Sequence, residues 1–216
     1  DLSKINNKIG LANKDNQFLF LNFPFSLHHS LMVTYELAAS TSDLAGILAL
    51  QKQNLPTNIS EQEAQSQGFV TVHHNLEILE RMNAQAPSII AKDGGQIIGY
   101  NIAMTRDFAK DIPVLIPMFE IMDELEMGGQ KMKDMDYIVC GQVCVDKAYR
   151  GQGIFAGMYQ FYQQQYAPRF AVIITEIARR NTRSIRAHEK VGFEIVHSYQ
   201  LTGGEVWEIV RWDWRK

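Results

Sequence analysis

Apolar and polar positions along the chain change period several times, and each change predicts a new element. Helical spacing of apolar residues predicts one helix capped by Ser42-Asp43 and ending near Asn54, and another within residues 60–85. β-Branched runs predict strands, two of which are joined by a glycine pair and form a hairpin. The predicted strands lie at residues 32–38, 88–92, 96–104, 137–145 and 170–177, with a final pair ending at Trp214. The later predicted helices lie at about residues 154–166 and 182–191.

This alternation of strands and helices predicts an α/β (α+β) fold in which helices cover a mixed sheet. With 216 residues, 46% of them hydrophobic, the chain is expected to form one well-buried core. We assign residues 32–216 to this domain and residues 1–31 to an N-terminal extension. The aromatic run of the extension is expected to pack on the domain or on a neighbouring subunit. An ordered extension and an apolar final strand are compatible with a homodimer.

Charge and hydropathy exclude several kinds of partner. The 21 basic and 24 acidic residues give a net charge of -3, which lacks the basic excess expected for binding nucleic acid. The most apolar run, Phe18–Phe25, is far shorter than the roughly 18 residues of a membrane span. It also lacks the basic start and small-residue cleavage site of a signal peptide. We therefore expect a cytoplasmic protein without a membrane partner.

The two cysteines, Cys140 and Cys144, stand four residues apart on a predicted strand. Strict alternation would place both side chains on one face, about 13 Å apart along the backbone, too far for a disulfide. No second cysteine pair or nearby histidine has metal-ligand spacing. We expect buried thiols and no metal site.

Residues 106–136 predict a helix and a loop, and they are rich in methionine. The five methionines are Met118, Met122, Met127, Met132 and Met135. They either belong to the core or form an adaptable lid over a binding site, because methionine packs against varied shapes.

A glycine-rich turn, Arg150-Gly-Gln-Gly-Ile-Phe155, separates a predicted strand from a helix. Free backbone N–H groups and the positive end of a helix dipole meet at such a turn, so the pattern favours an anion. Gly151-x-Gly153-x-x-Ala156 also satisfies a dinucleotide-binding pattern, with Glu176 as the ribose-binding acid. However, five residues separate the strand from Gly151, and the chain after Glu176 is too short for a dinucleotide domain. A phosphate-binding P-loop is excluded because no Gly-Lys-Ser/Thr follows.

Two ordered motifs resemble the GNAT N-acetyltransferase family. They are Val143-Cys-Val-Asp-Lys-Ala-Tyr-Arg-Gly-Gln-Gly-Ile154 and Asn181-Thr-Arg-Ser-Ile-Arg-Ala-His-Glu-Lys-Val-Gly-Phe193. The first is similar to the family's pyrophosphate turn, and the second to its next helical segment with a Lys-x-Gly-Phe ending. The resemblance implies an acyl-CoA N-acyltransferase fold, a mixed and mostly antiparallel sheet flanked by helices, with acetyl-CoA as donor. The residues it implies as cofactor contacts are Val143, Cys144, Val145, Arg150, Gly151, Gln152, Gly153, Ile154, Phe155 and Asn181.

Phe155 departs from the family pattern, which has Gly or Ala at this position. A contact made by its backbone N–H would leave the side chain free to point away. Asn181 stands where the family has a cofactor-contacting Asn, and it is equally suited to cap the following helix.

The resemblance also implies two catalytic residues. Glu176 stands on a strand that resembles the one carrying a catalytic Glu in ribosomal-protein N-terminal acetyltransferases, although an ion pair with Arg179 or Arg180 is an equal alternative. His188, seven residues after Asn181, occupies the position of the family's proton-donating Tyr. It either acts as the acid itself, orients the sulfur while solvent supplies the proton, or is structural.

The function implied is direct acetyl transfer to a primary amine of a small molecule or protein N-terminus. We expect acceptor specificity to lie in residues 55–85 and 106–136. The alternative is a non-catalytic acyl-CoA sensor or interaction domain, which would need the Arg150 turn but neither Glu176 nor His188.

Overall fold

The computed structural model describes residues 33–55, 57–60, 62, 69–70, 72–110, 112–201 and 203–215. The extension predicted for residues 1–31, and its expected packing, lie outside the described residues. The strands are β1 (Thr34–Leu37), β2 (Ile89–Asp93), β3 (Gln96–Met104), β4 (Glu126–Met127), β5 (Gln130–Lys131), β6 (Tyr137–Val145), β7 (Val172–Ala178), β8 (Glu194–Gln200) and β9 (Val206–Asp213). The helices are α1 (Thr41–Gln53), α2 (Leu76–Gln85), α3 (Ile116–Glu124), α4 (Ile154–Tyr166) and α5 (Thr182–Val191).

Seven strands form the central sheet, in the order β1-β2-β3-β6-β7-β9-β8. Every neighbouring pair is antiparallel except β6 and β7, which are parallel. The predicted mixed, mostly antiparallel sheet flanked by helices is therefore confirmed. Of the described helices none is long and apolar enough to cross a membrane.

Two hydrophobic layers cover the faces of the sheet. Helices α1, α2 and α3 contribute to one layer, in which Ile47, Met82 and Met122 are fully buried. Helix α4 supplies the other, through Met158 and Tyr162. Successive strand residues enter alternate layers, as the two-residue period of a strand requires. The sheet is thus held rigidly from both sides.

The parallel pair β6 and β7 separates partway along its length. Their register runs only from Tyr137–Val139 opposite Val172–Ile174. Just beyond it, the Thr175 hydroxyl donates to the Cys140 carbonyl at 2.7 Å, so a side chain replaces the next ladder bond. In the described chain, no pairing between the strands continues past this point, and the end of β6 therefore offers an open backbone edge.

A bulge in β6 corrects the prediction that Cys140 and Cys144 share a face. The pairing of β6 with β3 shifts at Gly141, between Ile102 and Ala103. One extra residue reverses the alternation of side chains. Cys140 consequently belongs to the layer of α4, and Cys144 to the layer of α1. Both thiols are free and buried, as expected, and burial raises the pKa of each to about 12.

The first helix begins slightly earlier than predicted. Ser40, not Ser42, is the N-cap, and its hydroxyl accepts from the Asp43 N–H at 3.1 Å. The Asp43 carboxylate accepts in return from the Ser40 N–H, which forms a capping box. The Lys92 ammonium lies 2.9 Å from Asp43, so the cap is also tied to β2.

Residues 106–136 fold at the start of β6. Beyond the predicted helix, now α3, they contain short 3-10 helices and the small hairpin of β4 and β5, which the sequence analysis missed. Met118, Met122, Met127 and Met132 are buried in the core, and Met135 packs partly buried against it. The core interpretation of the methionines is confirmed.

Candidate active site

A cleft of about 780 Å³ opens beside the end of β6, and we call it the first cleft. It is lined by Asn54, Phe69, Val70, Val143, Cys144, Val145, Tyr149, Arg150, Gly151, Gly153, Ile154, Phe155, Ala156, Asn181, Thr182, Arg183, Ser184, Arg186, Ala187, Lys190 and Val191. Every residue predicted to contact the cofactor is among them except Gln152. The Gln152 side chain is exposed and donates to the Ala148 carbonyl at 2.9 Å.

The glycine turn gives this cleft an anion-binding end. Gly151 and Gly153 have φ angles of 78° and 82°, a left-handed conformation that side chains disfavour. The N-cap of α4 is Gly153, which has no side chain to accept from the first N–H groups of the helix. Those groups and the helix dipole therefore present positive potential to the cleft.

Arg150 is held beside the turn by two hydrogen bonds. Its Nε donates to the Val145 carbonyl at 3.0 Å, and its Nη2 donates to Asn54 Oδ1 at 2.6 Å. Its Nη1 is buried and has no hydrogen-bond partner among the described residues. Buried donors are normally paired, so an anion at the turn explains this nitrogen.

Helix α5 adds further positive charge to the first cleft. Arg183, Arg186 and Lys190 line it at helical spacing. Burial and, secondly, the charge of Arg150 lower the pKa of Arg183. The cleft therefore suits a ligand carrying several phosphates.

A smaller cleft of about 70 Å³, the second cleft, adjoins the first. It is lined by Phe69, Val70, Cys140, Gly141, Gln142, Val143, Thr175, Glu176, Ile177, Ala178, Asn181, Ser184, His188 and Trp207. Five residues belong to the walls of both clefts, namely Phe69, Val70, Val143, Asn181 and Ser184. The structure thus brings both predicted catalytic residues, Glu176 and His188, next to the predicted cofactor site.

Glu176 has the environment of a general base. It is partly buried on β7, and its carboxylate accepts a hydrogen bond from the Tyr199 hydroxyl of β8. Burial raises the pKa of Glu176 to about 7, against the lowering effect of Tyr199. Arg179 and Arg180 pair instead with Glu208 and Glu205. A carboxyl group with this pKa can accept a proton near neutral pH.

Comparison with known proteins identifies the family. The family model for the GNAT acetyltransferase family matches residues 53–193. This chain belongs to the GNAT acetyltransferase family. No curated protein matches the chain by sequence.

Solved GNAT structures share the fold at low sequence identity. The ribosomal-protein-S18-alanine N-acetyltransferase of Escherichia coli is 14% identical, with a TM-score of 0.55 over 84% of this chain and 94% of that one. Naa50 of Arabidopsis thaliana, in complex with the bisubstrate analogue CoA-Ac-MVNAL, is 15% identical, with a TM-score of 0.55 over 83% and 97%. A GNAT acetyltransferase of Streptococcus agalactiae is 13% identical, with a TM-score of 0.58 over 85% and 96%.

His188 is the main departure from the GNAT pattern, and the structure buries it. Its Nδ1 lies 2.8 Å from the Ser184 carbonyl, and its Nε2 lies 2.7 Å from the Tyr159 hydroxyl. Phe155 and Phe193 pack edge-on against the ring, each with a centroid distance of 5.0 Å. Burial lowers the pKa of His188 to about 4. The imidazole is therefore neutral, and both of its nitrogens are engaged.

The Phe155 side chain, unusual for a GNAT turn, thus packs on the His188 ring rather than leaving the site. Asn181 caps α5, because its Oδ1 accepts from the Ser184 N–H at 3.3 Å. It also lines both clefts. The cap and a ligand contact are therefore compatible.

A buried polar network, which the sequence analysis did not find, anchors the second cleft. Gln51 Oε1 accepts from the His74 backbone N–H at 2.9 Å, so its Nε2 faces His74 Nδ1 at 2.8 Å and Gln142 Oε1 at 2.6 Å. Gln142 also accepts from the Tyr100 hydroxyl at 2.6 Å and donates to the Val72 carbonyl at 2.9 Å. Gln142 interrupts an apolar strand, and that was the available sequence signal.

The network ties the segment near Phe69 to α1, β3 and β6. The Arg180 guanidinium lies 4.3 Å from the centroid of the Phe69 ring. Phe69 and Val70 are within the first of the two regions predicted to set specificity. In the second predicted region, no described residue of 106–136 lines either cleft. The described part of this segment packs at the opposite end of β6, where Tyr137 donates to Asp123 at 3.1 Å, and its role in specificity stays a prediction.

Proposed function

We propose that this chain transfers the acetyl group of acetyl-CoA to a primary amine. The observation that carries the proposal is the shared wall, which joins an anion-binding cleft to a pocket containing a proton acceptor. The domain that performs this reaction is proposed to span residues 32–216.

The residues of the first cleft fit CoA. Arg150 Nη1 and the N–H groups from Gly151 to Phe155 would hold the pyrophosphate, since Nη1 has no acceptor among the described residues and Gly153 offers no side chain to cap the helix. The open edge of β6 at Val143 and Val145 would pair with the extended arm, as one strand pairs with another. When bound, acetyl-CoA supplies an acetyl group activated as a thioester.

The residues of the second cleft act on the amine. Glu176 accepts the amine proton, directly or through water, because its pKa of about 7 leaves a substantial carboxylate fraction at neutral pH. The aromatic side chains of Phe69 and Trp207 line the second cleft. The amine belongs to a small molecule or to a protein N-terminus. The second option is supported by the Escherichia coli relative, which by name acetylates an alanine of ribosomal protein S18.

Calorimetric titration with acetyl-CoA and, separately, NADH tests the cofactor site. Gly153→Glu places a carboxylate in the turn and is expected to abolish acetyl-CoA binding. Gly129→Glu is the matched control, because Gly129 has a φ of 81° and lies outside both clefts. Binding of NADH, or equal acetyl-CoA binding by all three proteins, would contradict the proposed site.

Mass spectrometry of reactions with a panel of amines tests the transfer itself. The panel should include free amino acids, polyamines and short peptides with unblocked N-termini. We expect a product heavier by one acetyl group with wild type and none with Gly153→Glu. Acetyl-CoA binding without transfer to any amine or protein acceptor would favour the sensor alternative.

A further inference from the structure

Ser184 occupies the point where the two clefts meet. Of the five residues common to both walls, only Asn181 and Ser184 carry polar side chains. If the proposed function is correct, the sulfur of CoA must reach this wall, since its acetyl group is delivered from the first cleft to an amine in the second. A group that assists the departing sulfur has to lie here.

His188 cannot supply a proton to that position in the observed arrangement. A carbonyl oxygen only accepts, so the proton on Nδ1 is directed to the Ser184 carbonyl at 2.8 Å. Nε2 is then an acceptor, and the Tyr159 hydroxyl lies 2.7 Å from it and 3.2 Å from Cys140 Sγ. The nearer and stronger acceptor is Nε2, so the hydroxyl donates to His188. Tyr159 is fully buried and lines neither cleft. His188 is 1% exposed, and its Nδ1 proton is held by the Ser184 carbonyl.

The Ser184 hydroxyl, in contrast, can donate a hydrogen bond. Its Oγ lies 3.4 Å from His188 Nδ1, but a protonated Nδ1 has no lone pair to accept with. The hydroxyl makes no other hydrogen bond with the described residues, and the residue is partly exposed. The Ser184 backbone holds the hydroxyl in place, because its N–H donates to Asn181 Oδ1 and its carbonyl accepts from His188 Nδ1.

We propose that Ser184 Oγ–H donates a hydrogen bond to the CoA sulfur as it leaves, with His188 and Tyr159 as positioning residues. Ser184 acts while the carbon–sulfur bond breaks and the sulfur keeps the electron pair. The amine nitrogen bonds to the acetyl carbon and its proton passes to Glu176, while the hydroxyl stays neutral and the sulfur leaves as a thiolate. Solvent then protonates the thiolate, and Glu176 returns its proton to solvent. Acetyl transfer is then balanced without a protonated histidine.

Ultraviolet absorption of the thiolate gives a direct test, because it reports the pKa of the CoA thiol in its complex with the protein. A hydrogen bond to a charged group favours the charged form, so Ser184→Ala is expected to raise this thiol pKa by about one unit. The kcat for acetyl transfer should fall about tenfold, while the KM for acetyl-CoA changes less than about twofold. Ser184→Thr retains the hydroxyl and should restore both values.

Ser42→Ala is the control, since Ser42 is exposed on α1 and lies outside both clefts. An unchanged thiol pKa in Ser184→Ala, with CoA still bound, would overturn the role of Ser184 and leave the proposed function standing. Failure of the wild-type protein to bind CoA would overturn both.

His188→Phe distinguishes a positioning residue from an acid. We expect a lower kcat and a pH profile of unaltered shape, because Phe keeps the ring packing but cannot bind the Ser184 carbonyl. Loss of the alkaline limb of the profile in this variant alone would make His188 the proton donor and contradict the proposal.

Discussion

The first and second clefts share a wall but are built in different ways. The first draws its anion-binding groups from Val143 to Phe155, a short continuous segment, and from the face of a single helix. The second is held by Gln51, His74 and Gln142, which come from three separated parts of the chain. The comparison shows that a site made of backbone donors is encoded locally, whereas a site made of matched side chains depends on the whole fold.

The difference extends to how polar groups are satisfied. In the first cleft, Arg150 Nη1 has no hydrogen-bond partner among the described residues, and no side chain of the N-cap, Gly153, caps the start of α4. In the network behind the second cleft, Gln142 Oε1 accepts two hydrogen bonds and Gln51 Nε2 contacts two partners. The first region is therefore open to an anion, while the second is complete without one and serves as a rigid support.

The largest effect is expected from Glu176→Gln, which removes the proton acceptor and leaves the anion site intact. The kcat should fall about 10²- to 10⁴-fold, with the dissociation constant for acetyl-CoA unchanged. Timed acetylation assays measure kcat, and calorimetry measures the dissociation constant for acetyl-CoA. Glu189→Gln, on the exposed face of α5, is the control. A matching loss of acetyl-CoA affinity would show that the two clefts are not separable.

The pH profile sharpens this prediction. Glu176 acts as a carboxylate, so kcat/KM should rise with pH through a midpoint near its pKa of about 7. Tyr199→Phe removes the hydrogen bond that lowers this pKa, and the midpoint should move to higher pH. Ionisation of the acceptor amine is common to both proteins, so the difference between them isolates Glu176. A shift to lower pH would contradict the assignment.

The same contrast explains which parts of the molecule could be predicted from sequence. Glycines at positive φ and a helix start leave a local signature, and the motif at Arg150–Phe155 was found for that reason. Strand order, the separation of β6 from β7 and the bulge at Gly141 depend on pairing with distant strands. Cys144 was predicted on the wrong face of the sheet, because periodicity assumes an unbroken register and the bulge breaks it.

The role of His188 shows a second limit of sequence. Its spacing from Asn181 predicted a residue at the site, and the structure does place it against the second cleft. Its chemistry depends on Tyr159 and on the Ser184 carbonyl, which fix the tautomer. Such partners become visible only after α4 and α5 pack together.

A smaller, pH-dependent effect is expected from His74, which supports the second cleft. Burial, and secondly the charge of His73, lower the pKa of His74 to about 4, below the 6.5 of an exposed histidine. The unfolded chain therefore binds the proton more tightly, and stability present above pH 6.5 is lost as the pH falls towards 4. At about pH 5 this loss amounts to about 2 kcal/mol.

Urea unfolding of His74→Asn at about pH 7.5 and pH 5 measures this contribution. Asn offers an amide oxygen near the place of Nδ1, so the bond from Gln51 Nε2 can persist without a titrating group. The variant should lose about 2 kcal/mol less than wild type between the two pH values. His197→Asn, at an exposed position on β8, should keep the wild-type dependence. Equal pH dependence in all three proteins would show that His74 does not link folding to pH.

The smallest expected effect concerns the first cleft, at Arg186. This exposed cation lines the cleft on α5, and a charge pair in water contributes little. Arg186→Ala should weaken acetyl-CoA binding about two- to fivefold and leave kcat unchanged, because it lies away from the shared wall. The deficit should shrink as salt is added, since mobile ions screen an exposed charge. Lys133→Ala, a cation outside both clefts, should bind as wild type does. A loss of acetyl-CoA affinity as large as that in Gly153→Glu, or one insensitive to salt, would mean that α5 rather than the glycine turn dominates binding. The first cleft would then not be an anion site built mainly from backbone donors.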